Sequence, residues 1–119
     1  MELPATDPGL ITMLGNNDWT VEFWAYVTTW NTNASVLFTL GTRSGDAVPF
    51  MFGYHATKTW YASNNGGSWN VIGGTVAFNT LITNAWAHYA VVMKYPSLTC
   101  YLNGVKQVNL NLGTVSMSG

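Results

Sequence analysis

The sequence predicts an all-β protein, an antiparallel sandwich of two sheets. Three observations carry this prediction. Runs of aromatic and β-branched residues recur along the chain, turn residues separate them, and nothing between them has the periodicity of a helix. The pair Asn103-Gly104 lies between two such runs and favours a two-residue hairpin. Strands at this spacing, with no crossover helices, pack as an antiparallel sandwich or barrel.

Each strand is predicted from its pattern and its bounding turn. In the first, Trp19, Val21 and Phe23 fall on one face, and Thr20, Glu22, Trp24 and Tyr26 fall on the other. Two glycines at 73–74 favour a hairpin, and Pro96-Ser97 favours a turn. Residues 64–68 read as a loop. The predicted strands cover residues 19–29, 36–40, 48–54, 58–63, 69–72, 75–78, 86–95, 98–102 and 105–110.

Length and composition predict one domain over residues 1–119. We expect its core in residues 10–110 and a loose tail or edge strand in residues 111–119. Charged residues make up 8% of the chain, against roughly 25% in ordinary soluble domains. A net charge of −1 without a basic cluster argues against nucleic acid and anionic membranes as partners. Cys100 is the sole cysteine, so we expect a buried free thiol. The N-terminus lacks a secretion signal, and no apolar run is long enough to insert into a membrane.

Three motifs in order carry a family resemblance. They are Trp19-Thr-Val-Glu-Phe-Trp24, Trp86-Ala-His-Tyr-Ala-Val-Val-Met93 and Cys100-Tyr-Leu-Asn-Gly-Val105. Together they resemble the laminin-G-like branch of the concanavalin A-like lectin/glucanase superfamily, over about residues 10–110. The resemblance implies a two-sheet jelly roll. It does not imply one function, because this fold hosts enzymes, lectins and structural modules.

One departure from the family pattern concerns the closing strand. Family domains continue beyond the Asn-Gly hairpin to a strand with an acidic pair, and no such segment follows Leu110 here. We therefore expect a sandwich that lacks its closing C-terminal strand and has an open sheet edge. A homo-oligomer or another protein of the same particle is expected to complete that edge.

Candidate catalytic and metal-binding residues are few. The glucanases of this superfamily use clustered carboxylates, but no two of the five here share a strand face at i, i+2 spacing, so we expect no enzyme. Glu22 reads as a solvated or ion-paired residue. His88 reads as structural and His55 as a surface residue, and no spacing suits zinc. Several laminin-G-like domains bind calcium, for which Asp18 and Asp46 are weak candidates. No cofactor is expected.

The aromatic residues are more numerous than a small core requires. Trp19 or Trp24, Phe23, Phe38 and Trp86 are predicted to form the core. Flat rings beside amides are suited to holding a sugar, since the ring contacts the apolar sugar face and amides bond the hydroxyls. This chemistry points to a carbohydrate site at Tyr54, Trp60, Asn64, Asn65 and Trp69. The alternative is that these rings pack in the second sheet or at a subunit interface.

Two classes of function remain open. The first is a non-enzymatic structural or display module of a bacteriophage virion, such as a capsid decoration or tail-associated protein with an adhesive surface. Low charge, no disulfide and no secretion signal fit this class, with production in the host cytoplasm. The second is a lectin-like carbohydrate-binding module, such as a fragment of a larger extracellular protein. A truncated sandwich needs neighbours more than a ligand, which favours the first.

Overall fold

The computed structural model describes residues 18–33, 35–40, 50–55, 57–65 and 67–114, and within them it contains strands and no helix. There is accordingly no helix in these ranges that could span a membrane. Two four-stranded antiparallel sheets form, the first sheet in the order β1-β6-β7-β8 and the second sheet in the order β2-β3-β4-β5. The predicted two-sheet sandwich is confirmed. The strands are β1 (Trp19–Tyr26), β2 (Ser35–Leu40), β3 (Phe50–His55), β4 (Lys58–Ala62), β5 (Ile72–Thr75), β6 (Trp86–Lys94), β7 (Ser97–Leu102) and β8 (Val105–Asn111).

Strand β1 pairs with β6 in unbroken register from Trp19 opposite Met93 to Tyr26 opposite Trp86. Its burial alternates along its whole length, so the predicted division into an inner and an outer face is confirmed. β1 is three residues shorter than predicted. The strand ends at Tyr26 because its partner there, Trp86, is the first residue of β6. One residue further on, the Val27 carbonyl accepts a hydrogen bond from the N–H of Asn84 at 2.8 Å.

The core lies between the sheets and is largely aromatic. Phe23 and Phe38 meet at 5.7 Å between ring centroids, and the ring of Trp19 packs edge-on against Phe50 at 5.9 Å. Phe23 and Phe38 are thus confirmed in the core, and of the alternatives Trp19 and Trp24 it is Trp19 that lies there. Trp86 is wrong as a core residue, since 65% of its surface is exposed, and Trp24 is 64% exposed. Both lie on the outer face, whereas the inner positions of β6 are taken by other residues. These are Ala87, Tyr89, Val91 and Met93.

The predicted hairpin at 73–74 is wrong. Gly73 and Gly74 lie inside β5, and the strands expected at 69–72 and 75–78 shrink to the single strand β5. Gly74 has a φ of 102°, and a Cβ there would come within 2.6 Å of the Tyr61 ring. A close approach of the Tyr61 ring to the backbone explains Gly74 better than a turn does.

The predicted turn at Asn103-Gly104 is confirmed, whereas the turn predicted at Pro96-Ser97 lies one residue earlier, at Tyr95-Pro96, because Ser97 already belongs to β7. Asn103 and Gly104 have φ of 50° and 78° and join β7 to β8, as the type I′ turn requires. Pro96 follows a cis peptide bond and joins β6 to β7. Of the predicted loose tail, Asn111 still belongs to β8, and Leu112 is buried with its N–H on the Pro96 carbonyl (2.8 Å). Residues 115–119 lie outside the described ranges. Cys100 is a free, fully buried thiol, as expected.

Candidate functional site

Three large rings stand exposed on the outer face of the first sheet. Trp24 and Tyr26 belong to β1 and Trp86 belongs to β6; their exposed fractions are 64%, 48% and 65%. We call these three residues the aromatic platform. Isolated exposed apolar residues are ordinary on protein surfaces, but a group of tryptophan and tyrosine rings on neighbouring strands is typical of a binding surface.

The register between β1 and β6 brings the rings of the aromatic platform together. Tyr26 lies directly opposite Trp86, and their rings meet edge to face at 5.7 Å between centroids. Trp24 lies opposite His88, with centroids 5.2 Å apart and the rings tilted by 56°. Because directly opposed residues of an antiparallel pair share a face, the four rings form one continuous strip across β1 and β6.

A hairpin on the far side of β6 fixes His88. Asn103 Oδ1 accepts the backbone N–H of His88 at 2.8 Å, and the Asn103 N–H donates to the His88 carbonyl at 2.8 Å. The Asn-Gly turn therefore does more than reverse the chain, since it holds the strand that presents Trp86 and His88. The expectation of a structural, hydrogen-bonded His88 holds for its backbone. Its ring faces the platform, which the sequence did not indicate.

One carboxylate lies beside the rings. Glu22 Oε2 is 3.9 Å from His88 Nε2, and the side chains are 68% and 25% exposed. At that exposure the pair adds little to stability. It does supply an acceptor and a ring nitrogen next to flat apolar surfaces.

The described residues include two of the five carboxylates of the chain. They contain no cluster of three metal-ligating side chains. Asp18 and Glu22 are their two carboxylates, and Asp18 Oδ1 accepts the backbone N–H of Tyr95 at 2.9 Å. Glycoside cleavage needs two carboxylates across a substrate bond, and Glu22 faces a histidine instead. Asp46, the other weak calcium candidate, lies outside the described residues.

Trp60 is wrong as a sugar-binding residue, because it is fully buried. Its ring belongs to the core, and its indole N–H donates to the Thr75 hydroxyl. Tyr54 is half-buried and packs edge-on against Trp30 at 6.0 Å. Trp30 is itself held by the Ile82 carbonyl at 3.0 Å.

The other three residues of the predicted site lie in the segment between β4 and β5. Asn65 Oδ1 accepts the N–H groups of Gly67 (3.0 Å) and Ser68 (3.1 Å). The side-chain amide of Asn70 donates to that of Asn64, and the ring of half-buried Trp69 lies 5.3 Å from that of Tyr61. These amides hold the loop in shape. A sugar-binding role for Asn64, Asn65 and Trp69 stays a prediction.

Sequence reasoning missed the aromatic platform, although a signal was present. The alternation of β1 already places Trp24 and Tyr26 with Thr20 and Glu22, on the polar face. Trp86 shares its face with His88, two residues on, whereas Ala87 and Tyr89 face inward. Polar neighbours at i±2 mark an exposed ring better than its size does.

The comparisons with known proteins agree with the fold. A family model described as the concanavalin A-like lectin/glucanases superfamily matches residues 4–116. No curated protein and no solved structure matches the chain. The match spans nearly the whole chain, and its family includes both binding domains and glucanases.

Proposed function

Because the chain belongs to the concanavalin A-like lectin/glucanase superfamily, we propose that it is a non-enzymatic, lectin-like binding module whose aromatic platform holds a saccharide. One observation carries this proposal. Trp24, Tyr26 and Trp86 stand side by side on rigid strands, and about half or more of each is open to solvent.

The platform has the shape and polarity that a sugar ring requires. Pyranose rings present flat C–H faces, which stack on indole and phenol rings, while their hydroxyls need hydrogen-bond partners at the rim. Glu22 and His88 supply such partners beside Trp24. Their placement on paired strands lowers the entropic cost of binding, because the rings need no reorganisation.

The size of the effect follows from the exposed area. Covering about 50 Å² of one indole at about 25 cal/mol per Å² contributes about 1.2 kcal/mol, close to a tenfold change in affinity. We therefore expect Trp24→Ala and Trp86→Ala each to weaken binding about tenfold. Both rings are exposed, so the folded state should change by less than about 1 kcal/mol.

The experiment compares two candidate sites on one protein. A glycan array and a panel of insoluble polysaccharides identify the saccharide, and titration then gives its affinity for each variant. Trp69→Ala is the matched control, since it removes an indole from the loop predicted by sequence. Loss with Trp24→Ala and Trp86→Ala, but not with Trp69→Ala, supports the platform. The reverse pattern, or no saccharide bound at all, contradicts the proposal.

The virion role remains a second proposal, supported by composition. Low charge, a single buried thiol and an adhesive aromatic surface are compatible with a capsid or tail module. Purified particles that carry the chain would support it. An array without saccharide selectivity, together with chain found in particles, would favour the structural role over the lectin role.

A further inference from the structure

The rings of the aromatic platform present separate faces to solvent. The ring planes of Tyr26 and Trp86 meet at 66°. Those of Trp24 and His88 meet at 56°. Trp24 and Trp86 are 64% and 65% exposed, so much of each indole is open to a ligand. The face of an aromatic ring carries the negative part of its quadrupole, and it therefore attracts a positively charged group as well as the apolar face of a sugar.

The carboxylate of Glu22 lies next to these rings. Glu22 is two residues before Trp24 on the same face of β1, which places their Cβ atoms about 7 Å apart. Its Oε2 is 3.9 Å from Nε2 of His88, whose ring in turn contacts that of Trp24. The side chain of Glu22 is 68% exposed. A ligand group that lies over the Trp24 indole is therefore within reach of this carboxylate.

The residues that the structure describes place no lysine beside the platform. Lys94 is the last residue of β6, at the end away from the exposed rings, and Lys106 lies on β8, three strands from β1. Lys58 belongs to β4 in the second sheet. The imidazole of His88 is not a permanent cation, because histidine is largely neutral above about pH 7. The charge of Glu22 thus disfavours an anionic ligand and favours a cationic one.

These features indicate the charge of the saccharide that the platform selects. Carboxylate, sulfate and phosphate substituents make a sugar negative, hydroxyl and acetamido substituents leave it neutral, and a free amino group makes it positive when protonated. We propose that the aromatic platform holds an amino sugar with a free, protonated amino group, such as the glucosamine of deacetylated chitin. This inference rests on the proposed function, because it names the class of saccharide for the same site.

The amino group and the sugar ring make different contacts. The ammonium donates a hydrogen bond to the Glu22 carboxylate and lies against the face of Trp24, while C–H groups of the same sugar cover the rest of that indole. Trp86 is a diagonal neighbour of Trp24 across the two strands, about 7–8 Å away, so the next sugar of a polymer can lie over it. Glu22 thus determines the specificity, and the two indoles supply contacts that any saccharide shares.

Three oligosaccharides of equal length test this specificity on the full chain. They share the β-1,4-linked glucopyranose backbone and differ at C2, which carries a hydroxyl in cellulose, an acetamido group in chitin and an amino group in deacetylated chitin. Titration calorimetry slightly below neutral pH and at low ionic strength measures the three affinities. We expect the amino oligomer to bind about tenfold more tightly than the two neutral ones, because an exposed ion pair and a cation–π contact add to the shared contacts. Salt at about 1 M should narrow the difference.

Glu22→Gln tests the residue that determines the specificity, since it keeps the shape of the side chain and removes its charge. It should weaken binding of the amino oligomer about tenfold and change the affinities for the neutral oligomers little. Asp18→Asn is the matched control, because it makes the same change of charge at the residue before β1, away from the exposed rings, and should keep the preference. Trp24→Ala should weaken binding of all three oligomers. Circular dichroism reports the fold of each variant.

The outcomes separate this inference from the proposed function. A preference for the amino oligomer that disappears in Glu22→Gln and persists in Asp18→Asn supports the inference. Binding that is sensitive to Trp24→Ala but favours a neutral oligomer overturns the inference and leaves the proposed function standing. A preference that persists in Glu22→Gln overturns the inference as well. If the wild-type chain binds no saccharide of any charge, both the inference and the proposed function are overturned.

Discussion

Tyr89 offers a sharp test of the packing described for the core. Its side chain is fully buried among Phe23, Phe52 and Phe78, and its hydroxyl has no hydrogen-bond partner among the residues that the structure describes. Burial, and to a lesser degree the neighbouring Cys100, raises the pKa of this phenol. A buried hydroxyl without a partner costs about 1–3 kcal/mol. Tyr89→Phe removes that cost and keeps the ring, so we expect the free energy of unfolding to rise by about 1 kcal/mol.

The matched control is Tyr61→Phe, for which the expected sign is opposite. The Tyr61 hydroxyl donates to the His55 carbonyl at 2.8 Å, so its loss should lower the free energy of unfolding by about 1 kcal/mol. Urea unfolding at neutral pH, followed by tryptophan fluorescence, measures both changes at constant m-value. If Tyr89→Phe destabilised the protein by 1 kcal/mol or more, the hydroxyl would have a partner and the described core would be wrong.

Two further predictions concern the backbone and the thiol. A Cβ at Gly53 would lie 2.3 Å from the Ser35 carbonyl oxygen, so Gly53→Ala should lower the free energy of unfolding, measured in urea, by about 2–4 kcal/mol. At Gly73 the nearest atom would be 3.5 Å away, so Gly73→Ala should lower it by less than about 1 kcal/mol. Similar losses for both variants would contradict the described approach of β3 to β2. Burial raises the pKa of Cys100 to about 12. Because the folded pKa lies above the unfolded value, this stabilisation is fully present below about pH 8.5 and is lost as the pH rises towards 12. The wild type should therefore lose about 2–3 kcal/mol more than Cys100→Ala between pH 7 and pH 10.5, with equal losses counting against a buried thiol.

The fold was predictable where the residues of a single strand alternate between polar and apolar. In β1 the strict alternation separates Val21 and Phe23 from Thr20 and Glu22, and burial follows it at each position. The hairpin at Asn103 was predictable because the backbone there needs positive φ, which asparagine tolerates. The same alternation places Trp24 and Tyr26 on the exposed face of β1. The large apolar rings of Trp24 and Trp86 nevertheless suggested the core.

The surroundings of β4 were beyond sequence reasoning. Trp60 and Tyr61 are neighbours that face opposite sides, yet both are buried. Trp60 lies in the core, and Tyr61 is covered by Trp69 and approached by Gly74. The residues that cover Tyr61 lie eight or more positions away from it in the sequence. The sequence of β4 does not alternate between polar and apolar residues, so it did not indicate that both faces of this strand are covered. Gly73 and Gly74 were for the same reason interpreted as a turn.

The resemblance in sequence and the exposed rings support one account. The sandwich is common to the whole superfamily, so it fixes no activity. The first sheet of this chain presents aromatic rings on its outer face, on the neighbouring strands β1 and β6. Such a surface favours attachment to other molecules.

The most direct test of the central claim is the response of individual indole N–H signals to a saccharide. The chain has six tryptophans, and Trp24→Phe and Trp86→Phe assign two of their signals in a two-dimensional NMR spectrum. On titration with the saccharide found by array, we expect the signals of Trp24 and Trp86 to shift and that of buried Trp60 to stay in place. Shifts confined to Trp69, or no shift of Trp24 and Trp86 at saturation, would contradict the account.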